Sequence, residues 1–202
     1  MIYQRPEFVT MPKNWKYARR IIAVGVVLLS ASGCAIMSKS DCINGDWQSA
    51  GYHDANRGHT TERLTLRARA CAKHGESSDE VMYQMGYNKG LEAYCTAERG
   101  LYLGSRNGDY RGICPAAVEG TFLRQYIYGL QIARSEITHR SFWLEDKLFS
   151  ARFDRTRTDN SDDILRLTRH IDQIDNRLDT LHSARFQISR KIARWTTRLE
   201  GE

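Results

Sequence analysis

The sequence of 202 residues lacks the signatures that usually declare a chemistry. It has no Gly-x-Ser-x-Gly, no His-Glu-x-x-His and no phosphate-binding Gly-rich loop, so the common hydrolase, zinc-protease and nucleotide sites have no foothold. It has no apolar run near the roughly 20 residues that a membrane-spanning helix requires; the stretch Ile21 to Leu29 is far shorter. No two cysteines stand at the two-to-four-residue spacing of zinc ligands, so neither a metal nor a cofactor is expected. Strong charge is also missing. The formal net charge is +6, but residues 1–33 hold five of the 30 basic and one of the 24 acidic residues, which leaves 34–202 at +2. The basic balance belongs to the N-terminal segment and does not describe a nucleic-acid surface.

That segment is the most informative one present. Lys13, Lys16, Arg19 and Arg20 precede the apolar run, and Ser30-Ala31-Ser32-Gly33 leads into Cys34. Positive charge, a short apolar core and small residues in that order read as a secretory signal peptide over 1–33. Met11 is an alternative start to Met1, since Met11 to Gly33 already contains both parts. With the cysteine directly after Ala-Ser-Gly, Leu28 to Cys34 resembles the lipobox of bacterial lipoproteins, with Ala31 where Leu is commonest. The resemblance implies a diacylglycerol on the Cys34 thiol, cleavage before Cys34 and a fatty-acylated new N-terminus. Ala35, rather than Asp, follows the cysteine. By the same resemblance this implies the outer membrane, facing the periplasm.

With Cys34 assigned to lipid, Cys42, Cys71, Cys95 and Cys114 remain. An even number in an exported chain reads as two disulfides. Three pairings are open, and loop closure favours Cys42–Cys71 with Cys95–Cys114.

Residues 35–41 read as a short tether. Asn44-Gly45-Asp46 predicts a helix cap, followed by Trp47, Gly51, Ala55 and Gly58 on one face. Leu64, Ala68 and Cys71 continue a helical pattern that should stop at His74-Gly75. Ser77 and Glu80 form a capping-box pattern for a helix ending near Gly100. In that helix Gly86, Gly90, Ala93 and Ala97 make a small-residue stripe and Tyr83, Tyr87, Leu91 and Tyr94 a bulky face. Trp47 to Tyr52, Tyr83 to Tyr87 and Tyr126 to Gly129 echo one another, either as a loose repeat or as recurrent helix packing. Asn107-Gly108 predicts a turn, and with Leu101, Leu103 and Tyr110 a small hairpin stapled by Cys95–Cys114. Pro115 suits a helix start.

Asp46-Trp47, Gly51, Asp54, Tyr83-x-x-Gly86, Gly90-Leu91, Tyr94-Cys95, Cys114-Pro115 and Tyr128-Gly129-Leu130 together resemble a family of small proteobacterial lipoproteins classed as a domain of unknown function, over about residues 34–135. That resemblance implies a periplasmic location and disulfides, and supplies no activity.

From Ala116 to about Phe153 the chain reads as one helix with the seam Val118, Phe122, Tyr126, Gly129, Ala133, Ile137, Leu144 and Leu148. After the cap signal Thr158 to Ser161, Ile164, Leu167, Ile171, Ile174, Leu178, Leu181, Ile188, Ile192, Trp195 and Leu199 alternate at three and four, with Arg185 breaking the register. This is a coiled-coil seam. Two helices of about 57 Å with a short joint predict an antiparallel hairpin. The alternative is pairing of residues 162–200 with another chain.

The expected fold is therefore mainly α: signal peptide 1–33, a disulfide-stapled Gly/aromatic module 34–115 with one hairpin or loop excursion, and a long helical hairpin 116–202. The expected role is non-enzymatic: a lipid-anchored envelope protein acting as a structural element or adaptor through its coil. Its expected partners are the membrane, through the anchor, and a protein or second copy, through 162–200. The alternative is recognition of glycan, peptidoglycan or an envelope enzyme by Tyr83, Tyr87, Tyr94, Tyr102 and Tyr110. An enzyme would require His53, Asp54, His59 and Asp109 to converge.

Overall fold

A computed structural model describes residues 36–201; the signal-peptide segment, Cys34 and Ala35 lie outside the described residues. Seven helices and no strand occur among the described residues: α1 Lys39–Asn44, α2 Trp47–Asn56, α3 Glu62–Ala72, α4 Glu80–Tyr94, α5 Ala97–Ser105, α6 Ala116–Thr156 and α7 Ser161–Glu200.

Local chemistry sets the ends of these helices. Ser38 caps α1 in a reciprocal box with Asp41, so residues 39–41 of the expected tether are helical. Gly45, at φ 63°, ends α1 in the left-handed conformation that glycine adopts without strain. Asp46 then accepts from Ser49 N to start α2, as expected. The cap of α4 is Asp79, accepting from Met82 N at 2.9 Å, and not Ser77. That helix also stops earlier than Gly100. Thr96 accepts from Arg99 N and starts α5, so the polypeptide turns a corner at Cys95–Thr96. Residues 97–105 are thus helical, and of the two expected forms of the excursion, hairpin or loop, the chain takes the loop, over 106–115. Asn107, at φ 53°, turns the chain there.

Glycine explains how these short helices pack. A Cβ on Gly51 would lie 2.0 Å from Tyr83 O, one on Gly86 1.8 Å from Gln48 O, and one on Gly90 2.4 Å from Tyr52 O. So α2 and α4 cross backbone to backbone, one glycine of α2 lying between two of α4. The same device recurs where α5 meets α6: Gly100 and Gly104 lie against Phe122 O and Tyr126 O, and Gly129 against Leu101 O. The sequence echo therefore reflects a shared packing solution.

The two pairings expected from loop closure are formed, Cys42–Cys71 and Cys95–Cys114. The first ties α1 to α3 in a core with Trp47, Ala55, Tyr83 and Tyr87. The second lies in a larger core with Tyr94, Tyr110, Phe122, Tyr126, Leu130, Ile188 and Trp195. This core spans the boundary expected at 115/116. Residues from both sides of it, including the far end of α7, bury one another, so the break falls inside a core and not beside it.

The helices α6 and α7, of 41 and 40 residues, form the antiparallel hairpin. At 1.5 Å per residue each is about 60 Å long. Ile171, Ile174 and Leu178 pack on Leu144, Leu148 and Ala151 in a third cluster confined to the hairpin. Between that cluster and the module core lies a thin place, where Ser141 is 3 % exposed and its Oγ has no hydrogen-bond partner. Arg185 is exposed and takes no position in the seam. Val118, expected in the seam, is also exposed.

Candidate functional site

Two buried carboxylates, Asp54 and Glu119, tie distant elements together, and Asp54 is the one of them singled out in the sequence. Asp54 is fully buried on α2, three residues after Gly51. Arg67 of α3 donates to both its oxygens, Nε to Oδ2 at 2.7 Å and Nη2 to Oδ1 at 2.8 Å; the Tyr83 hydroxyl donates at 2.9 Å, and Arg63 Nε lies 3.6 Å away. Burial by itself would raise the Asp54 carboxyl. Hydrogen bonds from Arg67 and Tyr83, with the charges of Arg67 and Arg63, outweigh it and hold the group below the usual carboxylate range. Burial, and then the bond to Asp54, push the Tyr83 hydroxyl well above its ordinary value. Asp54 is thus paired with one guanidinium through both oxygens and with one hydroxyl. It locks α2, α3 and α4 together.

Glu119 is the second centre, 1 % exposed at the start of α6. Tyr110 donates to it at 2.8 Å, and Arg198, near the end of α7, at 2.8 Å. Lys191 reaches the loop, bonding Asn107 O and Oδ1 at 2.9 Å and Asp109 Oδ1 at 2.7 Å. Trp195 packs on Tyr110 and Tyr126 with centroids 4.8 and 6.3 Å apart. The returning end of the hairpin is thereby clamped to the module. None of these long-range pairs was anticipated from the sequence. The one local hint was a carboxylate, Asp54, on the face that carries Trp47, Gly51 and Ala55.

The four residues required for an enzyme have separate occupations. Asp54 is the ion-pair centre and Asp109 the Lys191 partner. His53 lines an open cleft with Asp41, Asp46 and Arg57. His59 Nδ1 lies 3.1 Å from Arg111 Nη1. A guanidinium can only donate, so that nitrogen accepts. Burial and the nearby charges of Arg63 and Arg111 hold His59 below its ordinary value. Among the described residues no group of three or more His, Cys, Asp or Glu could hold a metal ion.

Of the five tyrosines considered as a recognition patch, Tyr83, Tyr87, Tyr94 and Tyr110 are buried and line the two cores. Tyr87 donates to His59 O at 2.7 Å and is pushed up to about 12 by burial. Only Tyr102 is exposed, between the guanidinium groups of Arg99 and Arg106.

Two exposed surfaces combine apolar side chains with a definite place in the fold. One is the outer face of α6, where Phe142 and Phe149 are each 73 % exposed, Trp143 58 % and Phe153 51 %. Spacings of seven and four put the three phenylalanines on one stripe, opposite the residues that meet α7. The other is a shallow groove where the chain enters the fold, lined by Ile36, Met37, Leu66, Arg69, Ala70, Lys73 and His74. Among the described residues no helix is long and apolar enough to cross a membrane.

No curated protein and no solved structure matches the chain. Residues 46–131 match a family model described as "Protein of unknown function (DUF2799)". The matched stretch runs from the Asp46 cap to α6 and contains every glycine of the two backbone crossings, leaving the distal hairpin and all of α7 outside that family's domain.

Proposed function

We propose that the protein is an envelope lipoprotein, anchored through acylated Cys34 on the periplasmic face of the outer membrane, and that it acts as a structural adaptor through its long hairpin. The observation that carries this reading is the stripe of Phe142, Phe149 and Phe153 beside Trp143. A contiguous row of exposed aromatics opposite a satisfied seam is the pattern of a protein-contact surface. The seam of α7 is occupied by α6, with Ile171, Ile174, Leu178, Ile188 and Trp195 all buried, so the adaptor contact is assigned to α6. Two disulfides support an oxidising compartment. The alternative, a glycan-binding aromatic module, loses support because four of its five tyrosines are core.

The test is crosslinking in intact cells with Phe142→Ser, Phe149→Ser and Phe153→Ser combined in the full chain. The expected result is loss of the wild-type crosslinked partner with unchanged melting temperature. Unchanged crosslinks would refute the adaptor surface. Deleting α7 is the wrong perturbation, because it removes Trp195 from the module core.

A further inference from the structure

We propose that the groove beside the point where the chain enters the fold is a docking surface for anionic phospholipid headgroups, which sets the orientation of the anchored protein on the bilayer. The inference rests on the acylation of Cys34 proposed above.

The first argument is positional. Met37 is buried against the Cys42–Cys71 bridge, and Arg67, itself locked to Asp54, donates to Ile36 O at 3.1 Å. Residue 36 is therefore fixed to the body of the module. Cys34 is two residues away, at most about 7 Å of extended chain. Acyl chains on Cys34 must enter the bilayer within that distance, so the surface around Ile36 meets the headgroups. The aromatic stripe on distal α6 is under no such constraint.

The second argument is chemical. Met37 separates two unlike depressions. On one side the cleft carries the carboxylates of Asp41 and Asp46, which an anionic surface repels. On the other, the groove is lined by Ile36, Leu66, Ala70, Arg69, Lys73 and His74, and none of its lining residues is acidic. Leu66, Arg69 and Ala70 of α3 and Lys73, the helical-backbone residue that caps it, follow at spacings of three, one and three, so they form one stripe. Leu66 is 48 % exposed, whereas Cys71 on the opposite face is fully buried. An apolar centre flanked by cations on the outer face of a helix suits the interfacial layer of a bilayer. Each cation near an anionic membrane strengthens attachment about fivefold.

The test uses the native full-length protein, purified with its N-terminal modification and reconstituted into vesicles of phosphatidylethanolamine with 30 % photoactivatable phosphatidylglycerol. After irradiation, mass spectrometry of peptides reports both the state of Cys34 and the sites of lipid adducts. The expected result is acylated Cys34 with adducts concentrated in residues 66–74. In the variant Arg69→Gln with Lys73→Gln, adduct yield there should fall roughly 30-fold. Acylated Cys34 with adducts mainly elsewhere, or equal yield from a photoactivatable phosphatidylcholine, overturns the docking surface and leaves the anchor standing. An unmodified Cys34 overturns the anchor itself, and with it the ground of the inference.

Discussion

Gly86→Ala provides the sharpest test of how the module is held together. The added Cβ would lie 1.8 Å from Gln48 O, 2.6 Å from Gln48 C and 2.9 Å from Gln48 Cα. All three are backbone atoms of α2, so no side chain can swing aside. Ordinary contact begins at 3.4 Å, and the helices must part by about 1.6 Å, more than the gap at which dispersion loses half its strength. The interface so opened includes Trp47, Ala55, Tyr83 and Tyr87. Overpacking typically costs about 1–3 kcal/mol and occasionally more; a clash with backbone that cannot rotate aside belongs at the upper end, about 3 kcal/mol or above. Alanine returns about 1 kcal/mol through its better helix propensity, leaving a net loss of about 2–3 kcal/mol. For a chain of this size that lowers the melting temperature by roughly 4–12 °C. The assay is thermal unfolding of the oxidised protein, followed by circular dichroism at 222 nm. Gly129→Ala should behave alike, since its Cβ would meet Leu101 O at 2.5 Å and Ser105 N at 2.6 Å. Gly75→Ala is the control: nothing lies within 4 Å, and only its φ of 81° opposes a side chain, at about 1–2 kcal/mol. If Gly86→Ala leaves stability unchanged or raises it, propensity has won and the backbone crossing is not what the structure depicts.

Three further outcomes follow from the buried polar groups and the staples. Asp54→Asn strands the Arg67 guanidinium and should cost about 3 kcal/mol, read by chemical denaturation. Because the folded pKa of Asp54 is depressed, its contribution is present above the unfolded value near 4 and is lost as pH falls through the folded one. Wild-type stability should therefore fall more steeply than that of the variant as the pH drops below about 4. Replacing both Cys42 and Cys71 by serine should cost about 3–4 kcal/mol. The same change at Cys95 and Cys114 should in addition speed amide exchange at residues 188–195 of α7, whose core that bridge shares. Ser141→Ala removes a buried hydroxyl without a partner and should raise stability by about 1 kcal/mol, or roughly 2–4 °C; a loss would show that the hydroxyl is bonded.

Local periodicity and small-residue patterning made much of this molecule legible in its sequence. The regular three-four spacing of Ile171, Ile174, Leu178 and Leu181 determined α7 as a helix with one apolar seam, because that spacing places every apolar side chain on one side of a 3.6-residue turn. Asp46, Asn160 and Gly75 marked helix ends, because their own conformations and side chains satisfy the terminal backbone groups. Gly86 and Gly90 signalled a close backbone approach without naming its partner. The signals that failed were local competitors of comparable strength. Ser38 and Asp41 cap a helix in a stretch too short to show periodicity, and Thr96 beside Cys95 ends α4 within an apparently continuous pattern.

What tertiary structure alone decided is which distant groups meet. Gly51 could have packed against any small stripe. Only the folded chain sets it on Tyr83 and Tyr87, and only there does the neighbouring Asp54 find Arg67. Glu119 and Arg198 stand 79 residues apart, and no periodicity links them. They meet because the packing of Trp195 on Tyr110 sets the end of α7 against the module, where Glu119 is buried. Sequence by itself determined the two long helices, the cores of α2, α3 and α4, and the count of staples, since these are set by neighbours within a few residues. Burial of charge, and the choice of which surfaces stay open, depend on the summed geometry of the whole chain.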